Sequence, residues 1–183
     1  PDDKCLSTTT NRIYAAPAQS LAAAAEMVQA AGYEVRVLGD ALEGEAGELG
    51  REHAEMAIAI SRVRGRGDAP LLLLSGGELT VTRRGDGIGG PNAEYCLALA
   101  IALEGAPGIH AIACDTDGVD GAADIAGAII GPETLAKARK IGIDPAAALA
   151  SNDAHGFFGA IGDQVITGPT MTNVNDFRAI LIL

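Results

Sequence analysis

Apolar and polar positions along the chain alternate between a helical period and short continuous apolar runs, which is the pattern of strands interleaved with helices. From Pro17 to Ala31, Leu21, Ala24, Ala25 and Val28 share one helical face. Pro17 suits a first turn and Gly32 a stop. Asn11–Ala16 before this helix and Tyr33–Leu38 after it read as strands, so the spacing predicts a β-α-β unit with parallel strands and a right-handed crossover. Gly39–Gly47 reads as a loop, leading into a helix that ends near Arg62 with Met56, Ile58, Ile60 and Val63 at its apolar positions. Leu71–Leu74 is a continuous apolar run, as expected of a strand covered on both faces. Leu79–Arg84 reads as a further strand, so close behind that Ser75–Glu78 has to be a tight turn or bend and the sheet has to be mixed. Helices are predicted over Pro91–Leu103, Pro132–Ile141, Pro145–Ala150 and Ala154–Ile161, and strands over Ile109–Cys114, Gln164–Thr167 and Phe177–Leu183. The whole reads as one α/β domain over residues 1–183, a layered fold with a mixed, mostly parallel sheet flanked by helices.

The 183 residues are 48% hydrophobic but only 3% aromatic, and lack Trp, so the core must be built from Ala, Leu, Ile and Val. Asp and Glu number 24 against 13 Lys and Arg, a formal net charge of -11. That excludes the basic face a nucleic-acid binder needs. It does not exclude an anionic substrate, which backbone amides and one or two local cations can hold. Cys5, Cys96 and Cys114 are odd in number and scattered, the usage of reduced thiols in a cytoplasmic protein. No apolar run reaches membrane-spanning length. The chain opens on Pro1 and "PDDKCLSTTT" has no apolar pattern, so it reads as starting in a linker.

The candidate chemistry lies in the connections. In "GDGIGG", Gly85, Gly87 and Gly90 formally match G-x-G-x-x-G ahead of a helix, and Asp115 could serve as a ribose-binding acid. The polar "ELTVTRR" before it differs from the apolar first strand of a dinucleotide fold. Phosphate or carboxylate binding by Gly87, Gly89, Gly90 and the helix amides stands beside a plain tight turn. Asn92 and Glu94 occupy the first turn of that helix; Glu94 either complements the helix dipole or joins a metal shell. "CDTDGVDG" places Asp115, Asp117 and Asp120 after a buried strand, where three crowded carboxylates call for a cation or backbone donors. Such hard oxygens suit Mg²⁺. An Asp/Gly turn is the alternative. Ser151, Asn152 and Asp153 read as helix caps and His155 as a structural histidine with general-base potential. "TGPTMTNVND", with Thr167, Thr170, Thr172, Asn173, Asn175 and Asp176, holds more hydroxyls and amides than a connection requires. Ser75, Gly76, Gly77 and Glu78 form a fourth polar segment; without a G-x-S-x-G elbow, serine hydrolysis is disfavoured.

"LSGGELTVTRRGDGIGGPNAEYCLALAIAL", "DTDGVDGAADIAGAII", "NDAHGFF" and "GDQVITGPTMTNVNDFRAILI", in this order, closely resemble the C-terminal MOFRL domain of the type II glycerate kinases, a family also labelled hydroxypyruvate reductase. The resemblance runs from about Ser75 to Leu183 and continues more loosely upstream. It implies an enzyme of two α/β domains with the active site between them, transferring phosphoryl from ATP to D-glycerate with Mg²⁺ to give 2-phosphoglycerate. The partner of this chain would be its own N-terminal domain, carrying much of the nucleotide site and a catalytic Lys. A homodimer is also compatible. In this reading Asp115, Asp117 and Asn92 are catalytic, Asp115, Asp117 and Glu94 hold metal, and Ser75–Glu78, Gly87, Gly89, Gly90, Thr170, Thr172, Asn173, Asn175 and Asp176 hold glycerate or phosphate. The family usually reads GGRN where this chain has Gly89-Gly90-Pro91-Asn92; Arg83, Arg84 or the other domain would then supply the missing cation. An NAD(P)H-dependent hydroxypyruvate reductase and a non-catalytic dimerisation or regulatory module are the two other readings.

Overall fold

The structure is a computed structural model and describes residues 9–10, 12, 14–65 and 67–183. Six strands form one sheet: β1 (Glu34–Glu45), β2 (Leu71–Thr80), β3 (Ile109–Asp115), β4 (Gly127–Ile130), β5 (Gln164–Val165) and β6 (Asp176–Ile182). They lie in the order β1-β2-β6-β3-β4-β5. The sheet is mixed, as expected, but it is not mostly parallel. Only β1 and β2 run parallel; β2–β6, β6–β3, β3–β4 and β4–β5 are antiparallel. The parallel unit is β1-α2-β2, not the one predicted around the first helix, because the described residues of Asn11–Ala16 (Arg12, Tyr14–Ala16) form no strand. The sequence reading missed β4, a four-residue "GAII" return, because it is too short to carry a period. Cys5 lies outside the described residues, while Cys96 and Cys114 are unpaired thiols whose pKa values burial pushes up, that of Cys114 to about 11.

The remaining elements are α1 (Pro17–Ala30), α2 (Ala46–Val63), α3 (Pro91–Leu103), α4 (Thr134–Lys140), α5 (Pro145–Ala150) and α6 (Ala154–Ile161). The main core lies between one sheet face and α2, α3, α4 and α6, with Leu73, Leu97, Leu99, Ile109, Ile180, Phe157 and Phe158 at its centre. α1 covers part of the other face through Leu21, Leu74 and Ala179. α3 is nearly apolar all round and is wrapped on all sides, which is what such a helix requires. Its start, at Pro91, faces the rim where β2 and β3 end and β6 begins.

Two predicted loops are strand. Gly39–Glu45 continues β1 through register shifts between Val37 and Leu42. Ser75–Glu78 lies inside β2, which runs unbroken to Thr80, so no separate strand begins at Leu79. Gly77 makes this possible: at φ +118° it passes Leu42 so closely that a Cβ would lie 2.3 Å from the Leu42 nitrogen. Ser75, Gly76 and Gly77 are therefore buried in the sheet, and the expected binding loop is absent; Glu78 alone of the four is exposed.

Candidate functional site

Antiparallel pairing of the central strands brings the acidic and polar connections to one end of the sheet. Gly77, Asp176 and Asp115 sit side by side across β2, β6 and β3. The loop after β3 and the segment before β6 are stitched together: Asn173 Nδ2 donates to Asp117 Oδ2 (3.1 Å), Thr170 N to the Asp117 carbonyl (3.0 Å), and Thr116 Oγ1 to the Asn175 carbonyl (2.8 Å). Thr170 Oγ1 also donates to the Thr116 carbonyl. Asp117 is further held by Val119 N at 2.9 Å, and Asp115 by Asp117 N at 3.0 Å. Burial, and then the neighbouring negative charges of Asp117 and Asp176, push the Asp115 carboxyl up to about 6. Thr170, Thr172, Asn173 and Asn175 are exposed here, so the segment is a polar surface rather than packed connectivity.

Beneath this rim lies a buried polar frame. Asp120, 1% exposed, caps α3: its carboxylate accepts from Asn92 N (2.9 Å) and Ala93 N (2.8 Å) and contacts His155 Nε2 at 3.1 Å. Asn92 Nδ2 bridges Asp120 (3.3 Å) to Asp176 (2.7 Å), and Asp176 accepts from Arg178 Nη1 at 2.8 Å. Arg178 is itself buried, with its guanidinium 5.8 Å from the Tyr95 ring centre, and Tyr95 bonds His53 Nδ1 at 2.8 Å. Burial is the main cause that raises Asp176 and lowers His53, the latter to about 4.

This frame changes several expectations. The amides at the start of α3 are already taken by Asp120, an anion of the protein itself, so they are not open to a ligand phosphate. The glycine turn is packed, not free: a Cβ on Gly87 or Gly90 would come within 2.5 Å and 2.4 Å of Asp153 and Asp120, and one on Gly89 within 2.8 Å of Asn152. Asn92 and Asp176 are buried and hold the frame together instead of facing a substrate. Asp153 holds the N-cap position of α6, but neither its side chain nor that of Asn152 bonds the helix; Asn152 Oδ1 accepts from Arg84 N and Gly85 N, and Asp153 Oδ1 from Ile88 N, fixing the turn. Glu94 is separated from Asp115 and Asp117 and bonds Asn152 Nδ2 at 3.0 Å. The three-carboxylate metal set is therefore not assembled: among the described residues, no three His, Cys, Asp or Glu side chains are grouped to hold a metal. A cavity of about 220 Å³ remains beside the turn, lined by Arg83, Gly87, Gly89, Gly90, Pro91 and Gly121 among others. Arg83 shares this cavity with Pro91; Arg84 lines a different one.

Residues 71–176 match the model of the MOFRL family. The chain belongs to the MOFRL family. An Agrobacterium vitis protein named "Putative hydroxypyruvate reductase" is 52% identical over 93% of this chain and 40% of its own length. The D-glycerate 2-kinase of Thermotoga maritima is 38% identical over 83% of this chain and 36% of its own length. A crystal structure of glycerate kinase from Thermotoga maritima superposes with a TM-score of 0.87 at 36% identity, covering 92% of this chain and 41% of that one. This MOFRL chain thus spans about 40% of the length of these relatives, and it shares the α/β architecture of solved glycerate kinases. No described helix of this family member is long and apolar enough to cross a membrane.

Arg178, His53 and Tyr95 went unnoticed in the sequence. "NDFRAILI" does carry the signal: Arg178 falls on the same face of β6 as the core residues Ile180 and Ile182, so a charge there needs a buried partner. His53, in contrast, shows nothing in sequence beyond its place on the apolar side of a helix.

Proposed function

We propose that this chain forms one wall of a glycerate 2-kinase active site, in which ATP phosphorylates D-glycerate to 2-phosphoglycerate, and that an upstream domain forms the facing wall. The observation that carries this reading is the joining of Asp115–Asp117 to Thr170–Asn175 at a single exposed rim. Asp115 and Asp117 fit Mg²⁺: two hard carboxylates lie two residues apart in one loop, and a cation would offset the burial, and then the neighbouring charge, that raise Asp115. Mg²⁺ with ATP would supply the transferable phosphoryl group and neutralise its developing charge. The chain's own groups then orient the acceptor. Asn173 fixes the Asp117 carboxylate, the Thr170 hydroxyl is given to the Thr116 carbonyl and ties the segment to the loop, and the hydroxyl of Thr172 offers a donor to a polyol acid. Arg83, which lines the cavity beside Pro91 and bonds the Gly85 carbonyl at 3.1 Å, is the cation we assign to a carboxylate or phosphoryl oxygen.

A nicotinamide reading fits less well, although one relative's name speaks of hydroxypyruvate reduction. A pyrophosphate needs open amides at a helix start and close approach over glycines. Here Asp120 occupies the amides and Ser151–Asp153 occupy the approach to Gly85 and Gly87. The test is a pair of assays on the protein together with the upstream region its relatives possess. ADP release that depends on D-glycerate is expected, falling about 100-fold in Asp117→Asn. Oxidation of NADH by hydroxypyruvate without any ADP release overturns the proposal.

A further inference from the structure

The chain carries three methionines, and their surroundings differ. Met56 lies on α2 and packs against the main core. Met27, on α1, is 76% exposed. Met171 is 95% exposed and lies in the segment joined to the Asp117 loop. Its backbone is left-handed, at φ +60°, a conformation that costs energy for any residue with a side chain and persists where its neighbours hold it. Thr170 N donates to the Asp117 carbonyl at 3.0 Å, Thr170 Oγ1 to the Thr116 carbonyl, and Thr172 N to Thr170 Oγ1 at 3.4 Å. The turn is thus pinned on both sides of Met171 and its thioether is thrown outward. One residue on is Thr172, exposed, whose hydroxyl bonds no other described residue.

A second sulfur at this end of the sheet is Cys114, next to Asp115. A thiol attacks a peroxide as its thiolate. Burial keeps Cys114 in the thiol form, with its pKa pushed up to about 11, and Cys96 is fully buried. A thioether has no proton to lose and needs only access. At the rim, Met171 therefore offers the sulfur that an oxidant can reach and that is ready to react.

We propose that Met171 is a reversible oxidation site, at which hydrogen peroxide closes the rim to its substrate. A lone pair on Sδ attacks one peroxide oxygen, the O–O bond breaks and an S–O bond forms. The other oxygen takes the proton of the transferred one and leaves as water. Sulfur loses two electrons and the peroxide gains two. A sulfoxide reductase using a dithiol reverses the step, giving back the thioether with water and a disulfide. The sulfoxide replaces a weak acceptor with a strong one. Its oxygen accepts from the Thr172 hydroxyl, the donor otherwise open to a polyol acid. Because the backbone is pinned, the fold stays intact and the loss falls on substrate affinity. The effect on turnover rests on the kinase reading; the oxidation and the bond to Thr172 do not.

The 183-residue protein, exposed to hydrogen peroxide and mapped by peptide mass, should take up oxygen at Met171 about tenfold faster than at Met56. Amide NMR shifts should then move at Thr172 and Asn173 and stay fixed at Asp120, and methionine sulfoxide reductase should restore them. Thr172→Val should remove most of the Asn173 shift. In the protein with its upstream region, oxidation should raise the KM for D-glycerate about fivefold or more and change kcat about twofold or less. Met171→Leu should resist peroxide, Met27→Leu should not, and Met171→Gln should raise KM with no peroxide added. Oxidation of Met171 no faster than that of Met56 overturns the proposal, as does an Asn173 shift that Thr172→Val leaves unchanged, or peroxide sensitivity that Met171→Leu retains. A protein with no glycerate-dependent turnover before peroxide counts against the kinase reading instead, and the mass map and spectra still decide the oxidation site.

Discussion

Asp120 and Asp117 are three residues apart in one loop, yet they sit in opposite circumstances. Asp120 is sealed in, with two backbone amides, the Asn92 side chain and His155 around its carboxylate. Asp117 is half-buried and held by Val119 N and Asn173, with its surroundings open to solvent. The contrast separates two uses of the same side chain. A carboxylate saturated by its own chain fixes geometry, whereas one left with spare lone pairs can meet a cation or a substrate.

The comparison breaks most readily at Asp120. Asp120→Ala should cost about 3–5 kcal/mol in urea unfolding, because it uncaps α3 and strips a buried partner from His155. A loss below 1 kcal/mol would mean that the frame is not what fixes the turn. Gly77→Ala, at a left-handed φ with the Leu42 backbone in its path, should cost about 3 kcal/mol. The same measurement on Asp117→Asn should show about 1 kcal/mol or less, since only two hydrogen bonds to partly solvated groups are at stake. If Asp117→Asn matches Asp120→Ala, the division between frame and rim fails.

The pH dependence sharpens the contrast through its sign. His53, in the core, is lowered from 6.5 to about 4, so the folded state resists a proton that the unfolded state accepts. Its contribution is present above pH 6.5 and is lost as pH falls toward 4. Asp115, at the rim, is raised from 3.8 to about 6, so the folded state keeps a proton that the unfolded state releases. Its contribution is present below pH 3.8 and is lost as pH rises through 6. Subtracting the stability–pH curve of His53→Gln from that of the parent should therefore leave a rising slope between pH 4 and 6.5, and subtracting that of Asp115→Asn a falling one. Mg²⁺ at pH 7 should recover part of the Asp115 loss.

Much of this was legible in the chain. Pro91–Leu103, Pro145–Ala150 and Ala154–Ile161 end where Pro, Gly and the apolar period say they should. "TGPTMTNVND" stands out in sequence by its density of hydroxyls and amides, and Thr170, Thr172, Asn173 and Asn175 are exposed in the structure. What sequence could not provide is which donors each carboxylate meets. Asp115, Asp117 and Asp120 look alike in "CDTDGVDG", and only the approach of α3 and α6 from distant parts of the chain sets Asp120 apart. Ser75–Glu78 misled for a related reason. Two glycines suggest a turn, but here they let a strand slip past its neighbour, an arrangement that depends on Leu42, thirty-odd residues earlier. The parallel majority was misjudged because alternation of strands and helices does not reveal that β6 returns to the middle of the sheet.

That return has a consequence for synthesis. β6 joins β2 to β3, so the two halves of the sheet share no ladder until it inserts. On the ribosome, everything from β1 to β5 emerges first, and β2 and β3 each wait with an unzipped edge. Arg178 arrives with the same strand as the core residues Ile180 and Ile182. Insertion of β6 therefore closes the sheet and brings Arg178 to its buried partner in one event, and until it happens β2 and β3 are two open borders of the kind that invite pairing with other chains.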